Sequence, residues 1–393
     1  MEREVRTCPV CGTKFSAASD SDRCPVCLLR AAAREESGAA AVVNPADGSE
    51  HISEEGGPAA PVLQFENYEL MLNTEGRPIE LGRGAMGITY KALDVDLRCP
   101  VTLKVIRERY LGDESARLRF LREARAAASV RHPNVASVLH LGRTGSSYFY
   151  AMEFVEGETL EHLIRRSGRI EVKLALEITT QVAVGLAAVH KRQLVHRDIK
   201  PSNIMVSLEE GGALTAKIID LGLAKAVDES GSQTAISIPG IFAGTPDFAS
   251  PEQFAGVQVD IRSDLYSLGA TLWKMLTGQT PFRGTSAELM YQHLHEPLPI
   301  GQLNHVPQPV VVLIEVLLEK EPGRRFQNPT EVLQAMATIM AAIDARRRIT
   351  RQSFQKTPSC RFSCRNLQTA SKTSTEEDFR SQIVRYRKRC FWA

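Results

Sequence analysis

His196-Arg197-Asp198-Ile199-Lys200-Pro201-Ser202-Asn203 is the stretch on which the reading of this chain turns. It fits H-R-D-x-K-x-x-N, five residue types held at fixed positions in eight, which chance rarely delivers. Upstream, Leu174, Ile178, Val182, Leu186 and Val189 recur at helical spacing and predict a helix with one apolar face. Downstream, Ala216-Lys217-Ile218-Ile219 reads as a strand that delivers Asp220-Leu221-Gly222, with Asp220 17 residues after Asn203. An Asp-x-Gly alone is more often a turn; that position makes it a functional candidate. Further on, residues 264–276 are apolar nearly all round, the pattern of a buried helix, and Gly278 is placed to close it.

A strand-rich half precedes this helical one. Residues 79–81, 88–92 and 101–106 are short and β-branched, residues 73–76 look like a turn before them, and residues 147–155 read as strand again. Residues 115–130, rich in Ala, Arg and Leu, predict a helix that stops near His132-Pro133. Between the first two strands, Gly82-Arg83-Gly84-Ala85-Met86-Gly87 is G-x-G-x-x-G, whose glycines permit a tight bend and bring N–H groups close to phosphate oxygens. A bare match of this kind is a weak signal. A dinucleotide fingerprint needs a helix directly afterwards and a Walker A loop needs Lys-Ser/Thr, whereas Ile88-Thr89 follow in a strand. What is left is a strand–loop–strand cover over ATP, which calls for a lysine on the next strand and an acid on the next helix. Lys104 and Glu123 meet that demand, the lysine to hold the α- and β-phosphates and the glutamate to hold the lysine. The bland reading of Glu123 is a surface charge on a helix.

With these motifs in this order, residues 65 to about 348 resemble a eukaryotic-like (Hanks-type) serine/threonine protein kinase domain of the kind found in bacteria. The resemblance implies an α+β, bilobal fold: a small sheet-rich lobe over about 65–155 and a larger helical lobe over about 156–348. It implies transfer of the ATP γ-phosphate to serine or threonine hydroxyls of proteins, with Mg2+ or Mn2+ as cofactor. Asp198 is then the base that accepts the substrate hydroxyl's proton, Lys200 neutralises the γ-phosphate, and Asn203 and Asp220 hold Mg2+. The nucleotide lies against Leu81, Gly82, Arg83, Gly84, Ala85, Met86, Gly87, Thr89, Thr102, Lys104, Met152, Glu153 and Val155, with Met152 as gatekeeper before the adenine hinge. His196 belongs in the core rather than on a metal. Glu252 is expected to pair with Arg325, and Asp264 to anchor the catalytic-loop backbone.

Lys200 and Thr245 match serine/threonine rather than tyrosine kinases. Departures from the family pattern are Leu221 for Phe, Ser250 for Ala, and Thr89 and Thr102 where Val and Ala are usual over the adenine. A hydroxyl over the adenine must find a partner or lose affinity. Arg197, directly before the base, implies control by phosphorylation of the activation segment between Asp220 and Glu252. Ser230, Ser232, Thr234 and Ser237 are candidates, with Thr234 and Ser237 favoured. Thr245 is a weaker one, since it should contact Asp198 and Lys200. A kinase dimer is expected for trans-autophosphorylation.

The two ends read differently. Cys8-Pro9-Val10-Cys11-Gly12 and Cys24-Pro25-Val26-Cys27 are two C-P-x-C knuckles with 12 residues between, a spacing that suits four thiolates around a structural Zn2+. Residues 1–30 thus look like a short zinc ribbon; the plain alternative is a free-thiol or disulfide-prone tail. A closed zinc site does not catalyse, and without a basic-aromatic surface beside it a protein contact is favoured over nucleic acid. Residues 31–64 have the composition of a flexible linker. Residues 349–393 read as a basic, disordered tail; residues 351–393 carry 10 Lys/Arg against 3 Asp/Glu. Cys360 and Cys364 lack a second pair, and the basic run at 385–389 reads as a solvated tail before a contact with acidic lipid or nucleic acid.

The 393 residues are 43% hydrophobic and 24% charged, which excludes a wholly disordered or fibrous chain. With 48 basic and 46 acidic residues, the chain as a whole is too balanced to argue for nucleic-acid or membrane binding. No apolar run reads as the about 20 residues of a membrane span, and no apolar core follows Met1, so the cytoplasm is the expected compartment. Two rivals stand beside the enzyme. A pseudokinase or scaffold that binds nucleotide and partners without transfer usually lacks the lysine, the base or the metal aspartate, and none is missing. A zinc-dependent nucleic-acid module with a kinase as its regulator demands salt-dependent DNA binding by residues 1–30.

Overall fold

The computed structural model describes residues 64–84, 87–107, 114–145, 147–208, 213–221 and 245–355, and two short strands near the N-terminus. Those strands, β1 (Val5–Thr7) and β2 (Lys14–Ser16), pair antiparallel with Val5 opposite Ser16, in a unit spanning Met1–Pro61. A second unit runs from Val62 to Ala393.

In that second unit the chain first builds one antiparallel sheet. β3 (Gln64–Phe65), β4 (Tyr68–Leu70), β5 (Glu80–Gly84), β6 (Gly87–Asp94) and β7 (Cys99–Arg107) lead to α1 (Glu114–Ala128), then β8 (Val138–Thr144) and β9 (Ser147–Glu153). The spatial order is β3-β4-β6-β7-β9-β8, with β5 paired to β6. The expected turn at 73–76 forms, with the Asn73 side chain accepting the N–H groups of Glu75 and Arg77. At Gly87, β6 and β7 come so close that a Cβ would stand 2.0 Å from the Val105 carbonyl oxygen, so only glycine fits the last position of the loop motif.

The two-residue period of the strands sorts this lobe into two faces. Val101, Leu103 and Val105 turn to the side where Phe65, Tyr68 and Phe149 pack, with ring centroids 5.7 Å (Phe65–Phe149) and 5.9 Å (Tyr68–Phe149) apart. Thr102, Lys104 and Ile106 take the opposite side, as do Tyr148, Tyr150 and Met152 across the register. There Ile106, Tyr148, Tyr150 and Met152 join a core with Phe120 and Ala124 of α1.

The helical lobe follows: β10 (Glu158–Thr159), α2 (Leu160–Ser167), α3 (Val172–Lys191), β11 (Ile204–Leu208), β12 (Leu214–Ile218), α4 (Pro251–Phe254), α5 (Ile261–Thr277), α6 (Ser286–His295), α7 (Gln308–Leu317), α8 (Pro329–Asp344) and α9 (Gln352–Gln355). α5 is its axis. Asp260 caps its start, Gly278 ends it in a left-handed turn at φ 79°, and 14 of its 17 residues are buried. Leu268 and Leu272, each fully buried, contribute about 1.5–3 kcal/mol apiece. Among the described residues α3 alone has the length and apolar composition of a membrane span. Its stripe of Ile178, Val182, Leu186 and Val189 is fully buried in the core with residues of α5, α8 and β12, the arrangement of a core helix.

The packed lobe does not stop at 348, where the sequence predicted a disordered tail to begin. Ile349 is buried and exchanges two hydrogen bonds with the Gln308 side chain, at 2.8 and 3.0 Å. The Phe354 ring lies 5.6 Å from Phe326, and Arg351 pairs with Glu319. Two apolar anchors thus fasten residues 349–355 inside a stretch whose average composition is basic. The rest of the tail, with Cys360 and Cys364, lies outside the described residues.

Candidate active site

The segment 196–203 is held by α5. Asp264, fully buried in the first turn of that helix, accepts the backbone N–H of His196 through Oδ2 and of Arg197 through Oδ1, both at 2.7 Å. Burial pushes its carboxyl up to about 7, against the pull of the two N–H groups and of Arg197. His196 is buried as expected. Its Nδ1 accepts the N–H of Asp198 at 3.2 Å, which leaves Nε2 to donate to the Ile219 carbonyl at 3.3 Å. Arg197 bends the chain with a left-handed φ of 64°, and its carbonyl is tied to the Gln253 amide at 3.1 Å.

Asp198, Lys200, Asn203 and Thr245 converge beyond that bend. The Lys200 ammonium lies 3.0 Å from Asp198 Oδ2 and donates to Thr245 Oγ1 at 2.8 Å, the contact the sequence predicted. Asn203 Nδ2 donates to the backbone oxygen of Asp198 at 2.8 Å and to Oδ2 at 2.9 Å. With those donors committed, Asn203 presents an acceptor oxygen to any further partner.

Asp220 arrives beside this loop because β12 ends there and Ile219 donates its N–H to the Asn203 carbonyl at 2.9 Å. Its φ of 58° is also left-handed. Oδ2 receives the Lys104 ammonium and Oδ1 the hydroxyl of Tyr150, the latter at 2.7 Å. Burial alone would raise this carboxyl; the Lys104 charge and the hydrogen bonds from Lys104 and Tyr150 outweigh it and hold the group below its ordinary value, in spite of Asp198 nearby. Burial, then the Asp220 charge, pushes the Tyr150 phenol well above its own ordinary value.

The expected pairing of Lys104 with Glu123 is not formed. Lys104 takes Asp220 as its ion-pair partner, and Glu123 on α1 has Oε1 3.8 Å from Nη1 of Arg197. Sequence spacing places the lysine on its strand and the acid on its helix. Which acid the ammonium reaches depends on how α1 stands against the sheet, a tertiary matter. The same swap gives Arg197 an acidic neighbour, where the sequence anticipated a charge awaiting phosphate.

Residues expected around the nucleotide lie on the β5–β6 hairpin and the adjoining strands. Leu81, Gly82, Arg83 and Gly84 are exposed, and Arg83 pairs with Glu80 at 2.5 Å. A Cβ added at Gly82 or Gly84 would meet nothing within 4 Å. Register puts Thr89 opposite Lys104 and Thr102 opposite the buried Met152. Glu153, at the end of β9, ties its backbone N–H to the Ser137 carbonyl at 2.9 Å and its carboxylate to Lys217; Val155 follows two residues on. Leu221 is buried in the main core, so it fills an apolar slot as expected. Glu252 and Arg325 form a bidentate pair at 2.7 and 2.8 Å. Ala85, Met86, Gly222, Ser230, Ser232, Thr234, Ser237 and the four cysteines Cys8, Cys11, Cys24 and Cys27 lie outside the described residues.

The sequence matches the family described as Protein kinase domain over residues 77–341. The chain belongs to the protein kinase domain family. This kinase chain is 36% identical to the serine/threonine-protein kinase PrkC of Bacillus subtilis over 270 residues, 68% of this chain and 40% of that one. It is 35% identical to the serine/threonine-protein kinase PknL of Mycobacterium tuberculosis over 282 residues, 70% of this chain and 69% of that one. The crystal structure of the Mycobacterium tuberculosis PknI kinase domain shares its fold with a TM-score of 0.56 at 24% identity, covering 71% of this chain and 99% of that one. The chain spans well under half the length of other kinase relatives, 39% and 37% of two clostridial proteins and 32% of Pkn2 of Myxococcus xanthus. In this kinase domain the site residue that motif reading passes over is Tyr150. Part of its signal is in the sequence: two residues before Met152 on a strand, it shares that residue's face, while its approach to Lys104 comes from the pairing of β9 with β7.

Proposed function

We propose that this chain is an ATP-dependent serine/threonine protein kinase that also phosphorylates its own activation segment. The observation that carries the reading is the convergence of Asp198, Lys200, Thr245 and Asn203 at hydrogen-bond distances, with Asp220 delivered beside them. The residues present fit Mg2+-ATP. Open space stands over Gly82 and Gly84 where side chains would intrude on phosphates, and Asp220 with the Asn203 amide oxygen offers the hard oxygen donors that Mg2+ takes.

Bound Mg2+-ATP supplies the phosphoryl group and neutralises part of the charge it carries. Asp198 receives the proton of the attacking hydroxyl as that oxygen bonds to the γ-phosphorus and the bond to the ADP oxygen breaks. Lys200 sits against Asp198 and Thr245, where its ammonium meets the charge on the transferring group. Lys104 supplies the positive charge for the α- and β-phosphates, and Asn203 and Asp220 hold the metal. Asp264 fixes the loop backbone at His196 and Arg197, which holds Asp198 and Lys200 in place. Purified protein incubated with Mg2+-ATP is expected to gain phosphate by mass spectrometry, and Asp198→Asn protein to gain none. An Asp198→Asn variant that turns over like wild type removes the assignment.

The same reading extends to regulation and to the N-terminal unit. Autophosphorylation at Thr234 or Ser237, in trans within a kinase dimer, orders the activation segment and raises the rate. Thr234→Ala with Ser237→Ala is expected to slow transfer, and full rate from the first minute in that variant rules the switch out. Cys8, Cys11, Cys24 and Cys27 bind one structural Zn2+ in a small ribbon that contacts protein; in support, β1 and β2, which flank Cys8 and Cys11 in the sequence, pair antiparallel. Metal analysis of freshly reduced protein should find about one zinc per chain, lost with Cys8→Ser and Cys11→Ser while kinase activity survives. The protein is expected in the cytoplasm, with protein substrates and no specific nucleic acid.

A further inference from the structure

We propose that Tyr150 is a positioning residue for Asp220, its phenol holding the carboxylate in the orientation that receives the divalent cation. The inference rests on the reading of Asp220 as a metal-holding residue. Three observations carry it. Tyr150 is 1% exposed and sits in register with Lys104, so the two side chains reach Asp220 from neighbouring strands of the small lobe. The phenol donates to Oδ1 at 2.7 Å while Lys104 takes Oδ2, so both carboxylate oxygens are fixed. The Asp220 backbone belongs to the other lobe, where Ile219 is tied to Asn203, and it stands at a left-handed φ of 58° that the surroundings must maintain.

A carboxylate oxygen has two acceptor sites, so each Asp220 oxygen keeps one for a cation after accepting its hydrogen bond. A carboxylate locked at both ends loses no rotational freedom when the cation arrives. Without the phenol, Oδ1 is released and the group is free to turn both oxygens to Lys104, which then competes with the metal inside the site. Packing does not require the hydroxyl, because phenylalanine fills the same slot.

Calorimetry of ADP binding to the whole chain, with and without Mg2+, tests this. Tyr150→Phe is expected to leave metal-free ADP affinity unchanged and to weaken Mg2+-ADP affinity about tenfold, the scale of one hydrogen bond to a charged group. The Mg2+ concentration for half-maximal transfer should rise in parallel. In an Asp220→Asn background the same substitution should add nothing. Tyr150→Met, a different apolar filling of the slot, should repeat the loss and carries the test if the phenylalanine variant unfolds. An unchanged or tighter Mg2+-ADP affinity overturns the inference, as does an equal loss with and without Mg2+, which marks a packing role alone. Wild-type protein that binds no Mg2+-ADP overturns the kinase reading itself, and this inference with it.

Discussion

Two ion-pair centres in this molecule are built to opposite rules. Glu252 and Arg325 are 6% and 0% exposed and meet through two parallel hydrogen bonds. Ser263 donates a further bond to Glu252, and the guanidinium also donates to the carbonyls of Arg262, Glu319 and Lys320. Burial alone would raise the Glu252 carboxyl, yet Arg325 and Ser263 hold it below its ordinary value. Every partner comes from one lobe. The second centre joins Lys104 and Glu123 of the sheet lobe to Asp220 and Arg197 of the helical lobe, with side chains 16–25% exposed and one pair 3.8 Å apart. A pair built inside one lobe is settled when that lobe folds. A pair built across lobes has a choice of partners, and here Lys104 has taken the acid that motif reading assigned to the metal.

The contrast breaks most visibly in catalysis. Asp198→Asn and Lys104→Met should each lower phosphate transfer by about 100-fold or more, while chemical denaturation finds the fold intact; near-wild-type turnover in either would falsify the site. Arg325→Met should do the reverse. It leaves Glu252 buried without its charge partner, costs about 3–5 kcal/mol in a urea titration, and spares the turnover of whatever fraction stays folded. Loss of less than a third of that would mean the pair is not the lobe's fastening. The cross-lobe pair is weaker: a double-mutant cycle of Glu123→Gln and Arg197→Gln should return a coupling of about 1 kcal/mol, and zero coupling would show that the 3.8 Å contact does no energetic work.

Acid sharpens the comparison within the helical lobe. His293 of α6 is buried between Tyr266, whose hydroxyl is 2.8 Å from Nδ1, and the rings of Phe254 and Phe282, with Lys320 bonded to its backbone carbonyl. Burial and then the Lys320 charge depress its pKa from 6.5 to about 3. A depressed value means the neutral ring contributes stability in full above pH 6.5, and that this is lost as pH falls toward 3. The urea midpoint should therefore decline over that window, and His293→Gln should flatten the decline; an identical slope in the variant would clear His293 of the effect.

Much of this is legible in the sequence. Motif spacing located Asp198, Lys200, Asn203, Asp220, Glu252 and Arg325, because each is tied to a local turn or helix start whose residues adjoin it in sequence. Helical periodicity reveals α3, since a buried stripe leaves a period, and an apolar run closed by Gly278 reveals α5, which is buried nearly all round. What escaped was relational. The partner of Lys104 depends on where α1 rests, and Tyr150 matters only because β9 lies beside β7, a pairing across more than 40 residues. The domain end was misjudged for another reason: two apolar anchors, Ile349 and Phe354, vanish in an average over a basic stretch.

The left-handed backbone at Arg197 and Asp220 has an engineering consequence. At Arg197 the left-handed turn carries about 1–2 kcal/mol of steric cost that glycine relieves, whereas aspartate tolerates that region and removing Asp220 leaves Lys104 and the Tyr150 hydroxyl without their partner. Those same two side chains carry the guanidinium beside Glu123 and the carboxylate between Lys104 and Tyr150. Thermal selection and selection for turnover therefore pull in opposite directions at 197 and in the same direction at 220, and a variant stabilised at 197 should be assayed for transfer before it is trusted as an enzyme.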